Sequence, residues 1–133
     1  MSYIFDSSAI FRVTKENAVE ALAGNFSLEL ARFELGNLLW KEYALHSRIT
    51  AEELESLIDL IKRVLNTLSI LGIGCREREI MKVAEELRVT FYDASYVYYA
   101  KEMVVPLVTE DRRLHAKAKS LVKVLAASDI LRR

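Results

Sequence analysis

The sequence predicts an α/β fold, a three-layer α/β/α sandwich with a central, mostly parallel sheet. Short apolar runs typical of buried strands alternate with longer segments in which apolar residues recur at helical spacing. This alternation favours parallel strands joined by helices that cover both faces of the sheet. The only proline, Pro106, begins a strand segment, where its missing N–H group is tolerated. With 133 residues and 52% hydrophobic content, we expect a single domain spanning residues 1–133.

Each element is predicted from its own local pattern. Strands are predicted near residues 3–5, 68–71, 106–109 and 122–125. Helices are predicted near residues 14–23, 31–46, 51–66, 77–87, 92–102 and 112–119. Two segments, 26–30 and 88–91, are ambiguous between these patterns. The helix that follows Thr50 has the clearest start, because Thr50 and Glu53 have the spacing of a capping box.

Composition excludes several classes of protein. The chain has 19 basic and 19 acidic residues, which argues against a broad basic surface for nucleic acid, so any such contact must be local. Cys75 is the only thiol, which excludes an intrachain disulfide and suits a reducing compartment. No long uncharged apolar run suggests a membrane span. We therefore expect a soluble, cytoplasmic protein without membrane contact.

Two acidic residues follow predicted strands directly. Asp6 comes after the apolar run Tyr3-Ile4-Phe5 and opens a predicted turn, and Asp111 follows Pro106-Leu107-Val108-Thr109 at the start of a helical stretch. In open α/β sheets, ligands bind at the carboxyl ends of the strands. Both acids are therefore expected at the same edge of the sheet.

Two further acids lie on predicted helices. Glu34 shares one helix stripe with Asn37 and Lys41, away from the stripe of leucines. Asp93 shares its helix face with the apolar or aromatic residues Tyr96, Val97 and Ala100. A charge on such a face is unexpected from folding alone.

The four acids together predict a metal site. If they converge, their repulsion raises some of their pKa values unless a cation neutralises them. Mg²⁺ and Mn²⁺ prefer carboxylate and water oxygens and bind through a few carboxylates. A zinc site is not supported, because His46 and His115 lack paired ligand spacing and Cys75 is the only thiol.

Four segments of the chain, in order, resemble the PIN domain and, within it, the VapC-type toxin ribonucleases of toxin–antitoxin pairs. The resemblance spans nearly the whole chain, and its specificity comes from the order and spacing of the segments. They are Ile4-Phe5-Asp6-Ser7-Ser8-Ala9-Ile10, Phe33-Glu34-Leu35-Gly36-Asn37-Leu38-Leu39-Trp40-Lys41, Tyr92-Asp93-Ala94-Ser95-Tyr96 and Leu107-Val108-Thr109-Glu110-Asp111-Arg112-Arg113-Leu114. Residues 50–88 have no family signature beyond their helical pattern.

The resemblance implies a metal-dependent endoribonuclease that uses one or two Mg²⁺ or Mn²⁺ ions. It implies that the catalytic and metal-binding residues are Asp6, Glu34, Asp93 and Asp111. It also implies nearby polar support from Ser7, Asn37 and Thr109. A homodimer and an antitoxin protein that blocks the acidic cleft, with a basic side chain in place of the metal, are implied as well.

Two basic residues beside Asp111 are expected to contact RNA. Arg112 and Arg113 follow Asp111 directly and are placed to contact an RNA phosphate at the rim of the site.

Trp40 and Met81 are predicted to lie in the core. Core and helix packing is also predicted for an aromatic set, with one ring left for base stacking or a dimer surface: Phe91, Tyr92, Tyr96, Tyr98 and Tyr99.

A purely structural role is the alternative for each acid. Asp6 and Asp111 are suited to be helix N-caps, and Asp93 would be the third helical residue of a capping box opened by Thr90. Glu34 could be an exposed partner of Lys41 or of Arg32, a solvated pair of little energetic value. A shared site is favoured because four independent structural acids need not follow a single ordered pattern.

Two other functional classes also compete with the nuclease. A phosphoaspartyl hydrolase would want an acid two residues after Asp6, where Ser8 stands, and a receiver domain would want adjacent acids. Both are disfavoured. The stronger alternative is a non-catalytic PIN-like module that binds RNA or a protein partner, since a sequence does not reveal a rate.

Overall fold

A five-stranded, all-parallel sheet forms the centre of the computed structural model, which describes residues 1–131. Arg132 and Arg133, which the predicted domain includes, lie outside the described residues. The strands are β1 Ile4–Phe5, β2 Phe26–Leu28, β3 Ser69–Leu71, β4 Leu107–Val108 and β5 Val124–Leu125. They are arranged in the order β3-β2-β1-β4-β5, which places β1 at the centre. The predicted parallel α/β/α fold is confirmed.

The helices connect and cover these strands. They are α1 Ser7–Lys15, α2 Leu30–Trp40, α3 Ala51–Thr67, α4 Glu77–Leu87, α5 Phe91–Met103, α6 Arg112–Ala118 and α7 Ala127–Leu131. A 3₁₀ turn occupies Val19–Leu22, and a π-helical segment, Lys41–Leu45, continues α2. Thr50 caps α3 through the predicted capping box, with Glu53 bonded back to the backbone of Thr50.

The predicted first helix is wrong in position. It was expected at residues 14–23, but α1 begins at Ser7 and the predicted turn after Asp6 is its first turn. The helix starts early because the carboxylate of Asp6 accepts the N–H of Ala9 at 2.9 Å. It ends early because Asn17 adopts the left-handed conformation, with a φ of 56°.

The ambiguous and missed segments have local explanations. Residues 26–30 form β2 and begin α2. Within β2, Ser27 can be buried because its hydroxyl donates to the carbonyl of Phe5 at 2.7 Å. That buried polar residue obscures the strand pattern. Residues 88–91 contain the left-handed Arg88 and the N-cap Thr90 of α5. The five-residue α7 was not predicted, because it is too short for helical periodicity to be visible.

Successive strand residues point into two separate cores, one on each face of the sheet. Ile4 and Leu107 pack on the face covered by α4, α5 and α6, whereas Phe5 and Val108 pack on the face covered by α1, α2, α3 and α7. This alternation follows from the two-residue period of a strand. The two cores hold the carboxyl ends of the strands, and therefore the loops that follow them, in fixed positions.

The prediction that Trp40 and Met81 lie in the core is wrong. Trp40 is 53% exposed and Met81 is 56% exposed. On α4 the buried face is formed at helical spacing by Ile80, Val83, Ala84 and Leu87, and Met81 falls outside it. Trp40 likewise follows the buried Leu39 by one position, about 100° around the helix. Within residues 1–131, no helix is both long and apolar enough to cross a membrane.

Candidate active site at the carboxyl edge of the sheet

Asp6 lies at the carboxyl end of the central strand and is 5% exposed. Its Oδ1 accepts the N–H of Ala9 at 2.9 Å and the hydroxyl of Ser8 at 2.6 Å. Burial raises the pKa of Asp6 to about 6, against the opposing effect of hydrogen bonds from Ser8, Thr109 and Ala9. The negative charge of Asp93 adds to the increase. Asp6 is therefore a cap whose ionised form is destabilised by its surroundings.

A hydroxyl pair connects the loop after β1 to the loop after β4. The Oγ of Ser8 lies 3.3 Å from the Oγ1 of the buried Thr109, across 101 positions of sequence. Ser8 Oγ also accepts the N–H of Glu110 at 3.0 Å, and Thr109 Oγ1 accepts the N–H of Asp111 at 3.1 Å. The two strand-end acids are thus held in relation to each other by side-chain hydrogen bonds.

Asp111 is exposed and caps α6. Its Oδ1 accepts the N–H of Arg113 at 2.9 Å and that of Leu114 at 3.1 Å. The structural role foreseen for Asp111 is present, and so is its place at the carboxyl edge. The Asp111 carboxylate therefore caps α6 and also belongs to the candidate site.

Glu34 on α2 is bonded to α5 through Tyr96. The Tyr96 hydroxyl donates to Oε1 of Glu34 at 2.8 Å, across 62 positions of sequence. Arg32, one of the basic partners considered for Glu34, pairs instead with Glu29 at 3.1 Å. Because Tyr96 is 1% exposed, it holds the half-buried Glu34 carboxylate in a defined position.

Asp93 is half-buried in the first turn of α5. Its backbone N–H donates to the Thr90 hydroxyl at 3.0 Å, as expected for a residue in the first turn of a capped helix. Its pKa is raised by burial first, and then by the negative charges of Asp111 and Glu34. The negative charges of Asp111 and Glu34 therefore act on Asp93.

Asp6, the fourth acid, is also within electrostatic reach of Asp93. Burial raises the pKa of Tyr96, and the charges of Glu34, Asp6 and Asp93 raise it further. The structure thus brings the four sequence-predicted acids to one edge of the sheet, with Asp6, Glu34 and Asp93 near the Tyr96 hydroxyl and Asp111 near Asp93. As the side chains stand in residues 1–131, no three or more Asp, Glu, His or Cys residues lie close enough together to hold an ion.

The donor chemistry of this group fits a hard divalent cation. All four groups are carboxylates, which suit Mg²⁺ and Mn²⁺ rather than softer metals. The raised pKa values of Asp6 and Asp93 mark a crowding of negative charge and burial that a cation would relieve. Binding would require movement of these side chains from their present positions.

The polar residues expected around the acids differ in how deeply they are buried. Thr109 is buried beside Asp6, Ser7 is half-buried, and Asn37 is exposed on α2. The serine that bonds Asp6 is Ser8 rather than Ser7. Sequence reasoning missed Ser8 and Tyr96, although Tyr96 was placed on the helix face of Asp93. Three-residue spacing was the available signal for Tyr96, whereas nothing local distinguishes Ser8 from Ser7.

Arg112 and Arg113 are exposed beside Asp111 and line different recesses. Arg113 lines a small recess of about 100 Å³ together with Asp93 and Asp111. Arg112 lines a larger recess of about 330 Å³ with Thr109, Asp111 and two further basic side chains, Arg12 and His115. Both arginines thus line recesses that include Asp111.

Comparison with known proteins gives close relatives but no matching family model. Exonuclease VapC9 of Pyrobaculum aerophilum is 32% identical over 126 residues, which cover 93% of this chain and 91% of that protein. Ribonuclease VapC3 of the same organism is 28% identical over 130 residues, covering 92% of this chain and 98% of that protein.

Solved structures reproduce the fold. The crystal structure of PAE2754 from Pyrobaculum aerophilum is similar with a TM-score of 0.81 and 31% identity, covering 99% of this chain and 97% of that one. VapBC2 from Rickettsia felis, bound to a DNA fragment from its promoter, gives a TM-score of 0.62 at 17% identity, covering 95% of this chain and 98% of that one. The second likeness is one of fold alone.

Proposed function

Because the chain belongs to the VapC family of PIN-domain toxin ribonucleases, we propose that it is a metal-dependent endoribonuclease and the toxin of a toxin–antitoxin pair. The observation that supports this most directly is the placement of four carboxylates at the carboxyl edge of the sheet, where Asp93 is within electrostatic reach of the other three. Two of them follow the neighbouring strands β1 and β4, and two come from α2 and α5. Structural caps alone would not require this convergence.

Asp6, Glu34, Asp93 and Asp111 would hold one or two Mg²⁺ or Mn²⁺ ions. Such an ion lowers the pKa of water and neutralises charge on a phosphodiester. The chain itself positions the ligands: Tyr96 orients Glu34, and the Ser8–Thr109 pair fixes the loops that bear Asp6 and Asp111. Arg112 and Arg113 would contact phosphates of the RNA from the rim.

Cleavage of labelled single-stranded RNA tests the reaction. We expect cutting with Mg²⁺ or Mn²⁺, none in EDTA, and products with a 5′-phosphate and a 3′-hydroxyl. Asp6→Asn and Asp111→Asn should abolish cutting while the fold is retained, since each removes a ligand charge but little volume. Asp59→Asn is the matched control, because Asp59 is exposed on α3. Equal cleavage in EDTA, or undiminished turnover in both site variants, would contradict the proposal.

A circular single-stranded RNA separates endonuclease from exonuclease activity. The relative VapC9 is named an exonuclease, whereas our proposal is cutting within the strand. We expect the circle to be opened by the wild type with metal. If only linear RNA is degraded from an end, the endonuclease assignment is wrong. If RNA binds but neither form is cut, the protein is a non-catalytic PIN-like module.

The proposed partners follow from the same family. The protein would form a homodimer in the cytoplasm. An antitoxin that inserts a basic side chain among the acids would keep the nuclease inactive. The acidic group at the edge of the sheet is complementary to such a side chain. Co-expression with a small DNA-binding protein encoded beside this chain should give a stable complex that does not cut RNA. Full cleavage by that complex would exclude it as the antitoxin.

A further inference from the structure

An apolar cavity of about 240 Å³ opens beside the carboxylates. Its floor includes Leu28 and Leu71, the last residues of β2 and β3, and the following Ile73. Phe33 from α2 and Tyr92 from α5 line it from above the strand ends. The cavity is therefore at the same edge of the sheet as the acids, displaced towards β3.

The two aromatic rings are exposed although large apolar side chains are usually buried. Phe33 is 72% exposed and Tyr92 is 61% exposed. Each precedes an acid of the site by one residue, Glu34 and Asp93 respectively, so each ring is about 100° around its helix from a carboxylate. Both rings are therefore next in sequence to carboxylates of the candidate site.

Three of the polar groups around the cavity are bonded within the protein. The Ser95 hydroxyl donates to the carbonyl of Tyr92 at 2.6 Å, and the Gly72 carbonyl accepts the hydroxyl of Tyr99. The carboxylate of Glu29 pairs with Arg32. Apart from the exposed carboxylate of Glu29 and the Tyr92 hydroxyl, a ligand in this cavity would meet mainly ring faces and aliphatic carbon.

We propose that this cavity binds one unpaired nucleobase of the RNA strand, stacked against Phe33 and Tyr92; the proposal rests on the ribonuclease function. Aromatic side chains stack on bases of every kind, because each base has a π-face. The volume is below the roughly 300 to 1,000 Å³ of pockets for drug-sized ligands, which fits a single ring system rather than a whole nucleotide. The flat faces of two exposed rings suit the π-face of a base in a strand that is held at the acids.

Steady-state cleavage of single-stranded RNA, with one abasic site moved along the strand, tests the proposal. For the wild type, an abasic site at one position near the mapped cut should raise KM about tenfold, the effect of losing one stacked base. Phe33→Ala and Tyr92→Ala should each raise KM for intact RNA by a similar factor with little change in kcat. In these variants the same abasic site should cause little further loss, because the two changes remove one interaction.

Two control variants distinguish stacking from general effects. Phe33→Tyr keeps a ring and should retain the wild-type KM. Val104→Ala alters a residue that is 87% exposed near the opposite, amino-terminal edge of β4, and should have no effect. Equal melting temperatures would confirm that the alanine variants are folded.

The outcomes distinguish failure of the base-binding site from failure of the ribonuclease function. If the wild type cuts RNA but Phe33→Ala and Tyr92→Ala have unchanged KM, the base site is wrong and the ribonuclease stands. If the wild type does not cut RNA, both proposals fail. Unchanged cleavage with lost inhibition by an antitoxin would assign the cavity to a protein partner and overturn the base site.

Discussion

Asp6 and Asp111 each have a folding role and a place in the candidate site. Both carboxylates accept helix amide groups through Oδ1 and so define the first turns of α1 and α6. The same two side chains lie after neighbouring strands of a parallel sheet, where ligands bind. The structural and functional interpretations of these acids are therefore compatible, and only measurements that vary charge or metal can separate the two contributions.

We expect the metal-free protein to become more stable as the pH falls from about 6 towards 4. The pKa of Asp6 is raised from 3.8 to about 6, so the folded state binds the proton more tightly than the unfolded state. The cost of ionising Asp6 is fully present above pH 6 and disappears below pH 4, on the order of 3 kcal/mol at about 1.4 kcal/mol per pKa unit.

Urea unfolding in EDTA at about pH 4.5 and about pH 7.5 measures this effect. Asp6→Asn is the matched variant, because it keeps a capping oxygen but does not titrate. The difference in unfolding free energy between variant and wild type should be larger at the higher pH and in favour of the variant. A difference that does not depend on pH would show that burial of Asp6 has no such cost.

For Asp93→Asn, we expect the order of the melting temperatures to reverse when metal is added. In EDTA the variant should melt higher, because it removes repulsion from Asp111 and Glu34, an effect of about 0.5 to 2 kcal/mol. With Mg²⁺ or Mn²⁺ at a hundred times its Kd, the wild type gains about 2.7 kcal/mol and should melt higher. A variant that melts lower in EDTA and responds normally to metal would leave Asp93 only its place in the capped first turn.

At the scale of the elements, strain is concentrated at helix ends. Arg88 after α4 and Val104 after α5 both have the left-handed conformation, with φ values of 57° and 55°. Glycine is the usual residue at such a position, and a β-branched residue is unfavourable there. Val104 is also 87% exposed, so its side chain gains little from burial.

Val104→Gly should therefore stabilise the protein by about 1 kcal/mol, the approximate cost of a left-handed conformation for an L-residue. Thermal or urea unfolding of the metal-free protein measures the change. Val104→Ala is the control and should have a smaller effect, because alanine keeps a Cβ in the left-handed conformation. A loss of stability in the glycine variant would mean that the Val104 side chain makes a contact that stabilises the fold.

For the whole molecule, the order of the strands decides which loops meet. With β1 between β2 and β4, the loop containing Asp6 lies beside Asp111 after β4 and close to α2, which follows β2 and bears Glu34. The exposed apolar side chains at the end of α2 and in the π-helical segment, Trp40 and Leu45, lie on the outside of this arrangement. Such a surface favours association with a second copy.

We expect the protein to sediment with twice its chain mass of 15.2 kDa. Trp40→Glu should shift it to the monomer, because a charge at an apolar interface is costly to bury. Met81→Glu is the matched control, since Met81 is similarly exposed but lies on α4. A monomeric wild type would refute the homodimer, and a dimer unchanged by Trp40→Glu would place the interface elsewhere.

The sequence by itself determined the features that depend on neighbouring residues. Alternating periodicities predicted the parallel sheet and most helices, and the capping box predicted the start of α3. Acids placed directly after apolar strands predicted Asp6 and Asp111 at one edge, because parallel strands end on the same side. The location of the candidate site was therefore available before its detailed geometry.

Tertiary structure alone decided the contacts between distant residues. The bond from Tyr96 to Glu34 spans 62 positions and the pair of Ser8 and Thr109 spans 101, and both depend on strand order and helix rotation rather than on local pattern. The exposure of Trp40 and Phe33 was decided in the same way. An apolar residue is buried only if its position on the helix faces the sheet, and that direction is set by the packing of the whole domain.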